Sequence, residues 1–383
     1  MTPLAEQIQS YYDEEQKNKP VPIEETDLPY CYEAITPEWL TKVLCKNVPG
    51  ARVESLQLGP KDTGSSNRRK ISIAYNDIGK AAGLQKKVFC KSSHELLNRM
   101  LLGTSGALVC ETTFYNEIQP LVDIESPRAL FARYDPRSFN SLIILEDVSD
   151  KVESFCNHET PMNQARVESQ MEELAKMHAR FLGAPELDTI LSKLVTWPEY
   201  LWRTKDFGME EGSNKGFLDA EEVIPPALYR RYSEVWPKTV ASAEKHNQLP
   251  QTFIHNDVHL KNWYCLPEDK MGLSDWQCAT RGHWSRDLAY TIVTACTVED
   301  RRRWERDLIA YYLEQMAQRG ATNISFEEAW NNYRQQMMSV LTWWTITLSP
   351  AEGMPEMQPR DITLEFIRRI TVAMDDLGTM DID

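Results

Sequence analysis

Phe253-Ile254-His255-Asn256-Asp257-Val258-His259-Leu260-Lys261-Asn262 is the stretch from which the fold of this chain is read, together with Leu273-Ser274-Asp275-Trp276. An apolar strand runs into His-x-Asp, Asn262 follows five residues after Asp257, and Asp275 ends a second apolar strand thirteen residues later. Phosphoryl transfer from ATP needs such a set. One carboxylate orients the acceptor hydroxyl and takes its proton, while a carboxamide and a second carboxylate hold Mg²⁺ against the phosphates. Asp257, Asn262 and Asp275 supply the three groups. A different reading stays open, because His255, Asp257 and His259 alternate and would share one face of a strand as a metal cluster.

The surroundings of this stretch divide the chain. Its 383 residues suggest two domains or lobes at ~100–200 residues each. Residues 1–50 read as a polar arm, with one short helix before residue 35, followed by a helix over 37–47 that starts at Thr36 as N-cap and Pro37 at its first position. Residues 51–148 form a β-rich lobe, with strands at 53–58, 69–75, 87–91, 128–134 and 141–147. Ile71, Ile73 and Tyr75 alternate with polar neighbours, as a half-buried strand requires. A helix over 105–120 carries Leu108, Glu111, Tyr115 and Ile118 on one stripe. Residues 149–383 are mainly helical: a helix over 163–182, at least two more within 195–250 around an irregular Gly208–Gly216 segment, the short strands about Asp257 and Asp275, and helices after 285. The class is α+β.

Composition excludes several functions. Hydrophobic residues at 42% and charged residues at 26% rule out wholesale disorder. No apolar run approaches the ~20 residues of a membrane span, and residues 1–20 hold no apolar core of a secretory signal. Eight cysteines without a Cys-x-x-Cys pair argue against zinc and thioredoxin-like motifs and fit a reducing cytoplasm. With a net charge of −15 and no basic run longer than Arg301-Arg302-Arg303, nucleic acid is not an expected partner. The acidity leans weakly toward a cationic small substrate. Eleven tryptophans, many of them after residue 200, read as core.

The string His255, Asp257, His259, Asn262 with Asp275 resembles the catalytic loop and metal aspartate of the aminoglycoside phosphotransferase and choline kinase family, the small-molecule branch of the protein-kinase-like fold, which includes ecdysteroid-kinase-like phosphotransferases. The resemblance covers about residues 50–300. It implies a bilobal kinase-like fold with a five-stranded antiparallel β lobe, ATP and Mg²⁺ as cofactors, and a hydroxylated small molecule as acceptor. Asp257 would be the catalytic base, Asn262 and Asp275 the Mg²⁺ ligands, and His255 and His259 supports of the loop. Asp287, in Arg286-Asp287-Leu288-Ala289, would brace that loop or cap a helix. His178, in Met177-His178-Ala179-Arg180, reads as a packed core histidine.

In the β lobe, a kinase-like site needs a strand lysine on the phosphates and a helix glutamate to hold it. Lys91 and Glu111 take those roles, with Glu117 the competing glutamate. Ser65, Ser66 and Asn67, in the turn that begins at Gly59, are candidate phosphate contacts, and Glu146, Asp147 and Val148 resemble a hinge offering backbone groups to adenine. Only eleven residues separate Asp275 from Asp287, and no Ala-Pro-Glu closes a peptide-docking segment, which disfavours a protein kinase. The competing functions are a pseudokinase-type nucleotide-binding protein and a metal-dependent hydrolase built on His255, Asp257 and His259.

Overall fold

The computed structural model describes residues 3–205, 208–350 and 357–382. Its contacts divide the chain into two units: Met1–Pro120 with Pro127–Asp150, and Leu121–Ser126 with Lys151–Asp383.

The first unit is built on an antiparallel sheet. Its elements are α1 (Pro3–Asn18), α2 (Pro37–Leu44), β1 (Val53–Leu58), β2 (Asp62–Thr63), β3 (Asn67–Tyr75), α3 (Asp77–Ala81), β4 (Lys87–Ser92), α4 (Leu96–Ser105), α5 (Ala107–Thr113), β5 (Ala129–Tyr134) and β6 (Ser141–Glu146). Five strands run in the order β1-β3-β4-β6-β5, and the two-residue β2 pairs with β3 at the hairpin. Alternation places Ile71, Ile73 and Tyr75 on the inner face, against Val53, Val88, Cys90, Leu142 and Ile144. Trp39, Leu40 and Val43 of α2 fill the same core. The N-cap is the expected one: Trp39 N donates to Thr36 Oγ1 at 3.1 Å, with Pro37 opening the helix.

Two local expectations change in this unit. The N-terminal arm holds a helix of 16 residues rather than a short one. Only Ile8 of it is buried, so its pattern is weak; it is held by polar contacts, above all Glu15 Oε2 to Arg99 Nη2 at 2.6 Å, with the Arg99 side chain fully buried. The expected helix over 105–120 is α5 continuing into a π-helical turn at Phe114–Ile118, preceded by the separate α4. The break falls at Gly106, whose φ of +82° suits glycine and few other residues.

The second unit is mainly helical. It contains β7 (Ser154–Phe155), α6 (Gln164–Phe181), α7 (Trp197–Lys205), α8 (Met209–Asp219), α9 (Pro226–Tyr229), α10 (Tyr232–Asn247), β8 (Thr252–Ile254), β9 (Trp263–Cys265), β10 (Met271–Leu273), β11 (Thr280–Gly282), α11 (Ser285–Ala295), α12 (Val298–Gln318), α13 (Phe326–Leu348) and α14 (Arg360–Asp376). Strands β10-β9-β7 form one small antiparallel sheet, and β11 pairs with β8 in another. The helical reading after residue 285 includes 351–356, which lie outside the described residues, as do 206 and 207 within 195–250. Among the described residues, no helix is long and apolar enough to cross a membrane.

The Gly208–Gly216 segment is the helix α8 rather than an irregular stretch. Its glycines permit close approach to α13: a Cβ on Gly216 would stand 1.8 Å from Thr345 O, and one on Gly212 3.0 Å from Ser349 O. Ser213 Oγ meets Thr345 Oγ1 at 2.9 Å on the same face. Gly216→Ala is therefore expected to destabilise the protein by at least ~2 kcal/mol, because backbone rather than a flexible side chain must move. A shift of the urea midpoint at unchanged slope checks this.

Candidate active site

In the first unit, β4 ends with its Lys91 side chain turned inward. Lys91 Nζ bonds Glu111 Oε1 of α5 at 2.6 Å, and each side chain is 7% exposed. Glu111, and not Glu117, is the partner of this contact. A buried pair of this kind is costly to desolvate, so its retention calls for a reason beyond stability. It holds the ammonium at a fixed point, as a site for phosphate oxygens requires.

The β2–β3 turn is pinned from within. Asn98 Nδ2 donates to the carbonyls of Gly64 and Ser65, both at 2.8 Å. Asn67 Nδ2 donates to Asn98 Oδ1 at 2.9 Å, and Asn67 Oδ1 accepts Glu95 N–H at 3.0 Å. The Asn67 carboxamide thus shapes the turn, and Ser66 is buried beside it. At the end of β6, Glu146 N donates to Arg128 O at 3.0 Å. Asp147 accepts Lys70 Nζ at 3.0 Å and Ser149 N–H at 3.0 Å. Burial works to raise its pKa, but the Ser149 and Lys70 contacts outweigh it and hold the carboxyl below its ordinary value. Val148 is buried.

In the second unit, β8 delivers the chain to His255 and the loop closes at Asn262. The loop hangs from a buried carboxylate: Asp287 Oδ2 accepts His255 N–H at 2.7 Å, and Oδ1 accepts Asn256 N–H at 2.9 Å. Asp287 and His178 are fully buried and 3.4 Å apart, and the other nitrogen of His178 meets Tyr312 OH at 2.8 Å. Burial alone would raise the Asp287 pKa, but His178 and the loop N–H groups outweigh it and keep it low. Asn256 has φ +70°, a conformation Asn tolerates better than most residues. It is held by a contact from Arg286 Nε to its Oδ1, by Arg286 Nη2 to its carbonyl at 3.3 Å, and by its own Nδ2 to Cys278 O at 3.1 Å. The Arg286 guanidinium lies 3.6 Å over the Trp197 ring, and burial pulls its pKa down to about 10.

His255 is fully engaged. Its Nδ1 accepts Asp257 N–H at 3.2 Å, and its Nε2 meets Ser274 O at 3.0 Å. A carbonyl only accepts and an amide N–H only donates, so the proton sits on Nε2. No ring lone pair is left for a metal. Among the described residues, no group of three His, Cys, Asp or Glu side chains is placed to hold a metal ion. The cluster reading of His255, Asp257 and His259 is not supported.

Asn262 Nδ2 donates to Asp257 O at 2.7 Å and faces Asp257 Oδ2 at 3.4 Å. Both neighbours are acceptors, so the amide nitrogen must face them and Oδ1 points away. Asn262 O in turn accepts Ser274 N–H at 2.9 Å, which ties the loop to the residue before Asp275. Asp275 has φ +68°. One amide oxygen and one carboxylate suit Mg²⁺, a hard ion that takes few protein ligands and completes its octahedron with phosphate and water.

Tyr290 was not singled out from the sequence. It lies on α11, one turn beyond Asp287 on the same face, and its OH donates to Asp257 Oδ1 at 3.2 Å. The i, i+3 relation to Asp287 was the available signal. His259 Nε2 stands 3.6 Å from Asp257 Oδ2, among the rings of Trp344 and Phe366. Burial lowers its pKa, against the opposing pull of Asp257 and Asp275.

Residues 149–322 match the phosphotransferase enzyme family, and this stretch holds Asp257, Asn262, Asp275 and Asp287. An ethanolamine kinase of Plasmodium vivax superposes with a TM-score of 0.53 at 13% identity, over 95% of this chain and 93% of that one. A candidate aminoglycoside phosphotransferase of Ralstonia eutropha gives 0.52 at 13% identity, over 88% and 97%. No curated protein matches in sequence. The chain thus has the kinase-like α+β fold, and the resemblance read from its catalytic-loop string is met over the stretch that contains it.

The buried Asp287 gives a stability test. Asp287→Ala leaves two loop N–H groups without their acceptor and is expected to cost ~3–5 kcal/mol in chemical denaturation. The pKa of Asp287 is lower folded than unfolded, so its contribution is complete above the unfolded value of 3.8 and is lost as pH falls through the lower folded one. Asp287→Asn should flatten that acid limb.

Proposed function

We propose that this protein is an ATP-dependent phosphotransferase that moves the γ-phosphate, with Mg²⁺, to a hydroxyl of a small molecule in the cytoplasm. The observation that carries the reading is the loop in which Asp257 and Asn262 are hydrogen-bonded together and tied through Ser274 to Asp275. In this reading Asp257 accepts the proton of the acceptor hydroxyl as its oxygen attacks the γ-phosphorus. Asn262 Oδ1 and Asp275 hold the Mg²⁺ that neutralises charge on the phosphates. Lys91, fixed by Glu111, binds phosphate oxygens. The backbone after Glu146, through Asp147 and Val148, receives the adenine, and the Ser65 and Ser66 segment of the turn covers the phosphates. Asn67 shapes that turn, and His255 and Asp287 hold the base in place.

The acceptor is a hydroxylated small molecule. The net charge of −15 favours a cationic one, such as an amino alcohol or aminoglycoside. Eight cysteines with free thiols accord with a reducing compartment.

The test is ADP release from Mg²⁺-ATP across a panel of amino alcohols, aminoglycosides, sugars and sterols. At least one compound should accelerate release, and Asp257→Ala should lower that rate by ~10²–10⁴-fold. Lys91→Ala should weaken ATP use through KM as well as kcat. Turnover unaffected by Asp257→Ala would overturn the reading.

A further inference from the structure

Asp257 has two carboxylate oxygens, and the structure treats them differently. Oδ1 receives the Tyr290 hydroxyl at 3.2 Å. Oδ2 has a long contact to Asn262 Nδ2 at 3.4 Å, and His259 Nε2 stands beyond hydrogen-bond range at 3.6 Å. The Asp257 side chain is 19% exposed, whereas Tyr290 is 1% exposed. Tyr290 is packed between the Arg286 guanidinium, 5.8 Å from its ring centre, and the His259 ring at 6.2 Å. Burial first, and the Asp257 charge second, push its pKa well up, so the phenol keeps its proton and acts only as a donor toward the carboxylate.

An aspartate carboxylate turns easily about its last torsion, which is broad and two-fold. An unheld base therefore offers either oxygen, in many directions. A buried donor on a rigid helix removes that freedom.

We propose that Tyr290 is a positioning residue for the phosphotransfer proposed above: by holding Oδ1 of Asp257 it fixes the carboxylate plane and leaves Oδ2 as the oxygen that takes the acceptor's proton. In the step, the acceptor O–H proton passes to Asp257 Oδ2. The acceptor oxygen bonds the γ-phosphorus, the bond from that phosphorus to the β–γ bridging oxygen breaks, and ADP leaves with the electron pair. Tyr290 exchanges no proton. It acts on orientation, so its effect belongs to kcat and not to nucleotide binding.

The experiment compares wild type, Tyr290→Phe and Tyr290→4-aminophenylalanine, with Asp257→Ala as the blank. ADP release from Mg²⁺-ATP is followed with water as acceptor and with the fastest compound of the panel. Tyr290→Phe is expected to lower kcat by ~10–100-fold with KM for ATP unchanged, since it leaves the carboxylate only the long Asn262 contact and does not touch the nucleotide. The 4-amino variant keeps a donor at the ring end and should recover most of the loss. Melting temperatures of all variants are measured alongside. Wild-type kcat in Tyr290→Phe overturns the proposal and leaves the phosphotransferase reading standing. A parallel fall of kcat, ATP affinity and melting temperature, not recovered by the amino group, marks a purely structural tyrosine and also overturns it. Wild type no faster than Asp257→Ala with every acceptor defeats the phosphotransferase reading, and this proposal with it.

Discussion

One buried carboxylate sets the geometry of the loop that carries Asp257. Asp287 accepts two successive backbone N–H groups, from His255 and Asn256, and so fixes the chain as it leaves β8. The next residue is Asp257. A carboxylate this deep is tolerable only with donors on its oxygens, and it has the loop N–H groups and His178. Asn256 then takes a left-handed backbone that Arg286 and Cys278 O lock from the side chain. Each of these contacts joins α11 or its approach to the loop. The orientation of Asp257 therefore depends on helix packing rather than on the loop's own preferences.

The first unit solves a similar problem with a salt bridge. Lys91 and Glu111 come from a strand and a helix twenty residues apart in sequence and meet at 2.6 Å with little exposure. Replacing such a buried pair by apolar residues of similar volume is often neutral or stabilising, whereas the pair fixes the position of the Lys91 ammonium. The turn after β2 follows the same logic, with Asn67 and Asn98 saturating one another and the Gly64 and Ser65 carbonyls. The Asn67 carboxamide is committed to this turn.

The legibility of the chain follows from where its determinants lie. Strand β3 showed through because period-two burial writes itself into neighbouring residues, as at Ile71, Ile73 and Tyr75. Helix α2 showed through its Thr36-Pro37 start. Helix α1 was expected only as a short helix, since one buried residue leaves no stripe to mark its length and its anchor, Arg99, is 84 positions from Glu15. Helix α8 was hidden by glycines that read as breakers but serve close packing on α13. Asp257, Asn262 and Asp275 were singled out by their order and spacing, and the folded loop brings Asp257 and Asn262 into contact. Tyr290 and Arg286 act through partners about thirty residues away, and only folding reveals such pairs.

We propose that Asn262 and Asp275 hold the Mg²⁺ of Mg²⁺-ATP in the second unit. The most direct measurement is the melting temperature of the purified protein with ATP, with and without Mg²⁺, for wild type and Asp275→Ala. A ligand held only by the folded state raises stability by RT ln(1 + [L]/Kd), about 2.7 kcal/mol at a hundredfold excess over Kd. The account predicts a clear rise with Mg²⁺-ATP in wild type, a smaller one without Mg²⁺, and loss of that difference in Asp275→Ala. No rise in wild type at ATP concentrations well above millimolar would contradict it.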